Sequence, residues 1–352
     1  MSSLDDFGGW PALLTQLLDR THLTTDQAHA AMSTILAGDA TAAQLIAFVV
    51  AMRAKGESAE ELSGLLDAVL EAAELVPLPQ ELRDQAVDIV GTGGDRSHSI
   101  NVSTMAAIVT AACDVPVCKH GARAASSKCG TADVLEALGV AIELSPGGVL
   151  RCVEQVGIGF CLAPRFHPAF RFAAPSRREI GIATVFNLLG PMANPGRVRR
   201  QVIGVADPDF AERMVESLRR HGSISSWVVH GNGLDELSTT GPSRVTALRD
   251  GEVRHFEVEP ADLGLARATD EELTGGTPDE NAAVVRRVLA GDAGPHRDIV
   301  VLNAGAALVV ADRAGDLAEG IAIAAAAIDS GAAAAKLDAF VHESQAAAAS
   351  EV

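Results

Sequence analysis

Residues 87–95 read VDIVGTGGD, a short run heavy in Val and Ile that stops in a loop of three glycines and one carboxylate. A run of this kind belongs in a buried parallel strand. A parallel strand in turn demands crossover connections and cover on both faces of its sheet, which restricts the chain to an α/β architecture. Gly91, Gly93 and Gly94 supply backbone that turns sharply and bares its N–H groups to an anion. Asn101, Val102, Ser103 and Thr104 follow and open a helical stretch, so a second set of N–H groups points at the same place. Together they form a phosphate cradle without the lysine of a P-loop. The expected ligand carries more than one phosphate.

The alternation continues down the chain. After Pro79, strand-like runs at 87–90, 115–118, 158–162, 201–205, 226–230 and 299–302 alternate with helical stretches, among them 102–112, 132–138, 210–221 and 280–290. This pattern predicts a mainly parallel sheet flanked by helices. Residues 240–263 read instead as an antiparallel excursion with Asp250-Gly251 at its hairpin turn. Residues 10–80 are expected to be helical. Thr25 is placed as the N-cap of a helix ending at Gly38-Asp39, and Thr41 as the cap of a helix over 42–53. Ser58 and Glu61 fit a capping box that opens a helix over 59–75. Residues 175–197 interrupt the alternation with a helix and a loop at Gly190-Pro191 and Asn194-Pro195-Gly196.

Charge narrows the partners. Lys and Arg number 28 against 46 Asp and Glu, a net charge of −18 in 352 residues. Such a surface repels nucleic acid and anionic membranes, so phosphate binding has to rely on local geometry, a few cations and a metal. The five cysteines (Cys113, Cys118, Cys129, Cys152, Cys161) are odd in number and form no CxxC pair. The first residues, MSSLDDFGGW, lack the character of a secretory signal. Reduced, mostly buried thiols in a cytoplasmic protein are the expectation. The alanine-rich stretch 320–335 carries Asp329 and reads as a core helix rather than a membrane span.

Three further stretches carry chemistry. Residues 119–128, KHGARAASSK, follow a strand and so sit at a carboxyl end of the sheet, where open α/β sheets bind ligands. Lys119, Arg123 and Lys128 gather positive charge there, and the small residues keep the backbone close to a ligand. A solvated basic loop would not need that run of small side chains. Asp235 and Glu236 follow a glycine turn and can present oxygens to Mg²⁺, which takes a few carboxylates plus substrate phosphates. The alternative for them is a solvated acidic pair. Ser103 and Thr104 hydroxyls can ligate the same ion or cap the helix. His167 beside Pro168 is either a satisfied loop histidine or part of the site. One of Arg177 and Arg178 can hold a carboxylate in a two-pronged fork, and the sequence leaves open which. No GxSxG, HExxH, GxGxxG or Cys/His metal spacing occurs. The expected catalysis is therefore positioning and electrostatics, with no side-chain nucleophile.

In this order, GTGGD at 91–95, NVST at 101–104, KHGARAASSKCGTADVLEALG at 119–139, RREIGIATVFNLLGPMANP at 177–195 and GLDE at 233–236 resemble the anthranilate phosphoribosyltransferase family. The likeness spans nearly the whole chain, including NAG at 303–305. GTGGD alone also suits the pyrimidine nucleoside phosphorylases, but the Arg177 and GLDE stretches do not. The resemblance implies a small all-helical N-terminal domain, 1–80, joined in space by 175–197. A large α/β phosphoribosyl-binding domain then comprises 81–174 and 198–352. It implies a homodimer through the helical domain. The implied reaction joins anthranilate to 5-phosphoribosyl 1-diphosphate and releases diphosphate, using Mg²⁺ as a pair of ions in each subunit.

By position, the resemblance assigns the phosphoribosyl donor to Gly91, Gly94, Asp95, Ser99, Asn101, Val102, Ser103 and Thr104. It adds Lys119, His120, Gly121, Ala122, Arg123, Ala124, Ala125, Ser126, Ser127 and Thr131. It assigns the metal to Ser103, Asp235 and Glu236, and the acceptor to Gly91, Ala122, His167 and Arg177, with Arg177 on the carboxylate. One position departs: the family's usual loop is KHGNR, and Ala122 stands where that asparagine would be. The lost amide lies on the acceptor side, so the rival reading is a phosphoribosyltransferase for a different aromatic amine or carboxylate. A catalytically silent relative that binds nucleic acid is the other rival, opposed by the net charge.

Overall fold

The computed structural model describes residues 3–95, 97–124 and 127–351. Its first part, up to residue 71, is helical: α1 (Gly9–Leu18), α2 (Thr25–Ala37), α3 (Ala42–Lys55) and α4 (Ala59–Glu71). Side chains start the last three. Thr41 caps α3 with Gln44, and Ser58 caps α4 with Glu61, each in a reciprocal capping box. The cap of α2 is Thr24, not Thr25. Gln27 decides between the neighbouring threonines, because it stands three residues after Thr24 and returns a hydrogen bond of 3.0 Å to its N–H. Helix α4 ends at Glu71, short of the expected Leu75. The chain then runs extended into Val76-Pro77, and the Glu74 N–H goes to the Phe166 carbonyl instead of a helical one.

After α5 (Gln80–Gln85), the sheet begins. Its strands are β1 (Val87–Gly91), β2 (Val117–Gly121), β3 (Ile158–Leu162), β4 (Arg200–Gly204), β5 (Ser225–Gly231), β6 (Ser243–Arg249) and β7 (Glu252–Val258). They lie in the order β3-β2-β1-β4-β5-β6-β7. The first five are parallel, and β6 and β7 add the antiparallel hairpin. Asp250 and Gly251 turn it with φ of 50° and 83°, as a tight two-residue hairpin requires. Strand β2 starts after Pro116, which has no N–H to give a ladder.

The remaining helices are α6 (Val102–Ala112), α7 (Thr131–Leu138), α8 (Pro146–Val156), α9 (Ala163–Phe166), α10 (Ala174–Ile180) and α11 (Val185–Met192), then α12 (Ala211–Arg220), α13 (Pro278–Leu289), α14 (Pro295–Val310), α15 (Leu317–Asp329) and α16 (Ala332–Ser350). Residues 299–302 are thus not a strand. They belong to α14, which is buried from Ile299 to Val310, and a helix buried all round shows the same unbroken apolar run as a central strand. Gly190 and Pro191 fall in the last turn of α11, not in a loop. The stretch 320–335 is divided by Gly331, at φ 80°, between α15 and α16. No single helix among the described residues is long and apolar enough to cross a membrane. All five cysteines are buried and free.

Two cores result. One packs α6 and α13–α16 against β1, β2 and β3. The other joins Leu13, Phe48, Met52 and Leu65 to Leu189, Met214, Ile203 and Val228, so the helical unit, with α11 and α12, closes one face of β4 and β5. The chain passes between the helical unit and the sheet three times, near residues 74–76, 166–173 and 193–195. These passing segments are bonded to each other: Glu74 N–H to Phe166 O at 2.8 Å, and Val76 N–H to Pro195 O at 3.1 Å.

Candidate active site

The parallel strands β1 to β5 end along one edge, the usual ligand edge of such sheets. Loops from that edge and the segment 170–191 of the helical side enclose a cleft of about 470 Å³. On the sheet side, the loop after β5 lies across the ends of β1 and β4. It can do so because both strands end in glycine. A Cβ on Gly204 would sit 1.5 Å from the Asp235 carbonyl oxygen, and one on Gly91 2.2 Å from Asp235 Oδ2. Asp235 Oδ2 then accepts the Gly93 N–H at 2.7 Å. Glu236 lies beside the first turn of α6, where the nearby Ser103 N–H works against the upward push of burial and of the Asp235 charge. One of the backbone N–H groups that the sequence offers to an anionic ligand, that of Gly93, is therefore held by the protein's own carboxylate.

Acids crowd here. Asp95 is folded onto Ser97, whose hydroxyl donates to it at 2.7 Å, and stands against Asp235. Burial, and then the charge of Asp95, pushes Asp235 up to about 7. Burial and the charge of Asp235 push Glu236 well above the usual carboxylate range. Lys119 lies beneath them, buried, donating to the Ile89 carbonyl and to Ser103 Oγ. Its burial lowers its pKa, opposed by Asp88 and Glu236. Among the described residues no three His, Cys, Asp or Glu side chains converge to hold a metal unaided. Yet Asp235, Glu236 and the Ser103 hydroxyl form an all-oxygen donor set whose repulsion a cation relieves. That fits Mg²⁺, which leaves positions for ligand oxygens.

The rest of the sheet side comes from the expected stretches. Gly94, Ser99, Asn101 and Val102 line the cleft, as do His120, Gly121, Ala122, Arg123, Ala124, Ser127 and Thr131. Ala125 and Ser126 lie outside the described residues. Ala122 is exposed. Arg123 does not offer a free charge: its guanidinium is bonded to Glu136 at 2.7 and 3.1 Å and to Asp133 at 3.3 Å. Thr104 is not in the cleft. It is buried behind it, its hydroxyl on Thr131 Oγ1 at 3.4 Å, because it falls on the inner face of α6. Asn101 Oδ1 accepts from Asn281 Nδ2 at 2.8 Å, which ties the start of α6 to α13.

The opposite wall is aromatic. Helix α10 turns Arg177 into the cleft and leaves Arg178 exposed and outside it. The Arg177 guanidinium lies 5.0 Å over the Phe186 ring. Burial lowers its pKa, and no carboxylate opposes that shift. Behind it the rings continue: Phe186 to Phe170 at 5.6 Å, Phe170 to His167 at 5.3 Å, His167 to His120 at 5.0 Å. His167 itself does not line the cleft. It is buried, pushed down to about 4 and so neutral, and its Nε2–H donates to the Ala193 carbonyl at 2.9 Å. Burial lowers His120 as well, and its Nδ1–H donates to Gly190 O at 3.1 Å. Gln201 takes the Pro191 carbonyl at 3.1 Å, and Asn194 donates to Asp88 at 2.8 Å and to Cys118 O at 2.7 Å. The end of α11, whose carbonyls lack helical partners, is thus fastened to the sheet by side chains. Gly93, named in the sequence for its backbone N–H, also lines the cleft, whereas Phe170, Phe186 and Asn187 are lining residues that sequence reasoning missed. Phe186 and Asn187 stand within the motif that carries Arg177, which was the signal available.

Residues 83–334 match the model of the glycosyl transferase family a/b domain, and residues 11–73 that of the family's helical bundle domain. The anthranilate phosphoribosyltransferase of Saccharopolyspora erythraea is 51% identical over 342 residues, covering 96% of each chain. The crystal structure of anthranilate phosphoribosyltransferase from Thermus thermophilus superposes with a TM-score of 0.89 at 40% identity, covering 95% of this chain and 99% of that one. The Saccharomyces cerevisiae enzyme in complex with PRPP and Mg superposes with a TM-score of 0.86 at 29% identity, covering 96% and 98%.

Proposed function

The chain belongs to the anthranilate phosphoribosyltransferase family, and we propose that its cleft holds the phosphoribosyl donor against the β1, β2 and β5 loops and anthranilate against Arg177. It is a pentosyltransferase that moves the phosphoribosyl group of 5-phosphoribosyl 1-diphosphate to the amine of anthranilate and releases diphosphate, a step of tryptophan biosynthesis. The assignment of residues is carried by one observation. The cleft has an oxygen-rich, cation-ready side at Asp235 and Glu236 and, at Arg177, a carboxylate-ready guanidinium that no carboxylate among the described residues pairs with.

Asp235, Glu236 and Ser103 hold Mg²⁺, a pair of ions in each subunit. When bound, Mg²⁺ supplies positive charge to the diphosphate oxygens. The loop from Gly91 to Asp95, the start of α6 and the 119–131 stretch bind and orient the donor. Arg177 fixes the anthranilate carboxylate and so aims the amine at the ribose C1, while Phe186 and Phe170 offer the ring an apolar face. The aromatic amine is neutral at pH 7, and its lone pair forms the C–N bond as the C1–O bond to diphosphate breaks. The nitrogen, cationic once the C–N bond has formed, then gives its proton to water. No general base is needed before attack, and holding two substrates in one geometry supplies much of the rate.

The helical part, 1–80 with 175–197, and the α/β part, 81–174 with 198–352, form the two walls. The protein works in the cytoplasm as a homodimer through the helical part, where Leu18 and Val50 leave apolar surface exposed. The test of the reading is loss of anthranilate fluorescence on mixing with 5-phosphoribosyl 1-diphosphate and Mg²⁺, beside a panel of other aromatic amines. Anthranilate consumption abolished by a chelator is expected. Turnover of another amine with anthranilate untouched would overturn the acceptor assignment.

A further inference from the structure

From Ile299 to Val310, α14 is apolar except for Asn303, which is fully buried. A buried amide in such a helix is costly unless its hydrogen bonds are all made, and here they are. Asn303 Oδ1 accepts the Leu237 N–H at 3.0 Å, and Nδ2 donates to the Leu237 carbonyl at 2.8 Å and to the Ile299 carbonyl at 2.9 Å. The two bonds to Leu237 reproduce the exchange an antiparallel strand neighbour would make, yet the partner is a helix side chain. Leu237 directly follows Glu236. On the other side, the same loop is pressed onto strand ends: a Cβ on Gly231 would meet the Glu236 carbonyl oxygen at 2.2 Å, as Gly204 meets Asp235.

We infer that Asn303 is a positioning residue for Asp235 and Glu236: by gripping both polar groups of Leu237 it holds the two carboxylates over the strand ends, Asp235 against the Gly93 N–H and Glu236 facing the cleft beside the start of α6. It touches neither substrate nor cation. The inference rests on the reading that these carboxylates hold Mg²⁺ with the diphosphate. A helix can serve as so firm an anchor because α14 is itself locked. A Cβ on Gly305 would stand 2.9 Å from the Ile321 nitrogen, so the crossing with α15 leaves it no room to slide.

The experiment titrates the full-length protein calorimetrically with 5-phosphoribosyl 1-diphosphate over a series of Mg²⁺ concentrations. Asn303→Ala is expected to weaken binding about tenfold at low Mg²⁺, the order of effect of a lost buried hydrogen bond. Binding should recover as Mg²⁺ rises, with the KM for anthranilate changed less than about twofold. Leu337→Ala, which thins the same core from α16 and leaves α14 and the loop unaltered in sequence, should lower Tm and leave the Mg²⁺ dependence at the wild-type value. If Asn303→Ala lowers Tm in the same way and keeps the wild-type Mg²⁺ dependence, the residue is only structural and the inference falls. Should that variant not fold, Asn303→Ser retains part of the grip and should show a smaller shift of the same sign; an unshifted curve overturns the inference equally. A wild-type chain without any Mg²⁺-dependent affinity refutes the reading of the cleft itself.

Discussion

On the sheet side of the cleft, three carboxylates crowd against one another and against the glycine ends of two strands; on the helical side, rings pack in sequence, one pair stacked and the next edge to face, and one guanidinium stands without a carboxylate among the described residues. The first side is electrostatically unsatisfied as it stands, since burial and mutual repulsion push Asp235 and Glu236 upward. On the second side His167 is neutral and bonded to a carbonyl, and the Arg177 guanidinium, set over Phe186, has no carboxylate partner among the described residues. A site for a polyphosphate needs charge that a cation completes. A site for a flat aromatic acid needs a rigid apolar slot and a single cationic contact.

Substitutions that act on one side and spare the other test this division. The largest effect is expected from Asp235→Asn, which keeps the shape and removes a charge. Steady-state kinetics should show kcat/KM down about a hundred- to a thousandfold, the scale of losing a principal electrostatic contact to the leaving group, with the KM for anthranilate little altered. Arg177→Ala should do the reverse. It should raise the KM for anthranilate about ten- to a hundredfold, as for a lost charge-assisted pair, and leave donor binding within about twofold. If both KM values move together in either variant, the two walls are not separable.

Acid should weaken the aromatic side in a predictable window. The folded-state pKa of His167 is depressed, to about 4 from an ordinary 6.5. Its contribution is therefore complete above pH 6.5 and is lost as pH falls toward 4. Urea unfolding at pH 7 and pH 4.5 should show the wild type losing about 2 kcal/mol more than His167→Gln over that interval. Equal losses would mean that the ring is protonated in place. The smallest effect is expected from Ala122→Asn. Ala122 is exposed on the cleft rim, and one added amide there should tighten anthranilate about threefold, the worth of a solvent-shared hydrogen bond. An unchanged KM would put the acceptor out of reach of that loop.

The two sides also differ in how readily the sequence reveals them. The sheet side is written in contiguous motifs, because glycine turns, helix starts and acidic pairs each need neighbours in the chain. Strand 158–162 and helix 102–112 coincide with β3 and α6 for the same reason. What local pattern cannot carry is the 142-residue reach by which Asp235 takes the Gly93 N–H, or the placing of Glu236 beside Ser103 on one cleft wall. The run 299–302 misleads because burial on all sides erases periodicity, so a strand and a core helix spell alike. The aromatic wall is harder still. Phe170 and Phe186 look like any core phenylalanines until folding sets Arg177 over one of them. His167 shows the converse, a polar residue beside a site that serves only the turn behind it.

The hydrogen bonds among the passing segments set the mechanics of the whole molecule. Glu74 is bonded to Phe166, Val76 to Pro195, and the neighbouring Ala193 and Asn194 are held by His167 and Asp88. Three leaves pinned along one line make an axle, not three separate joints. Arg177 and Phe186 stand beyond that line on one wall and share its footing. A substitution at the axle therefore changes the angle at which the wall faces the sheet without altering what the wall is made of.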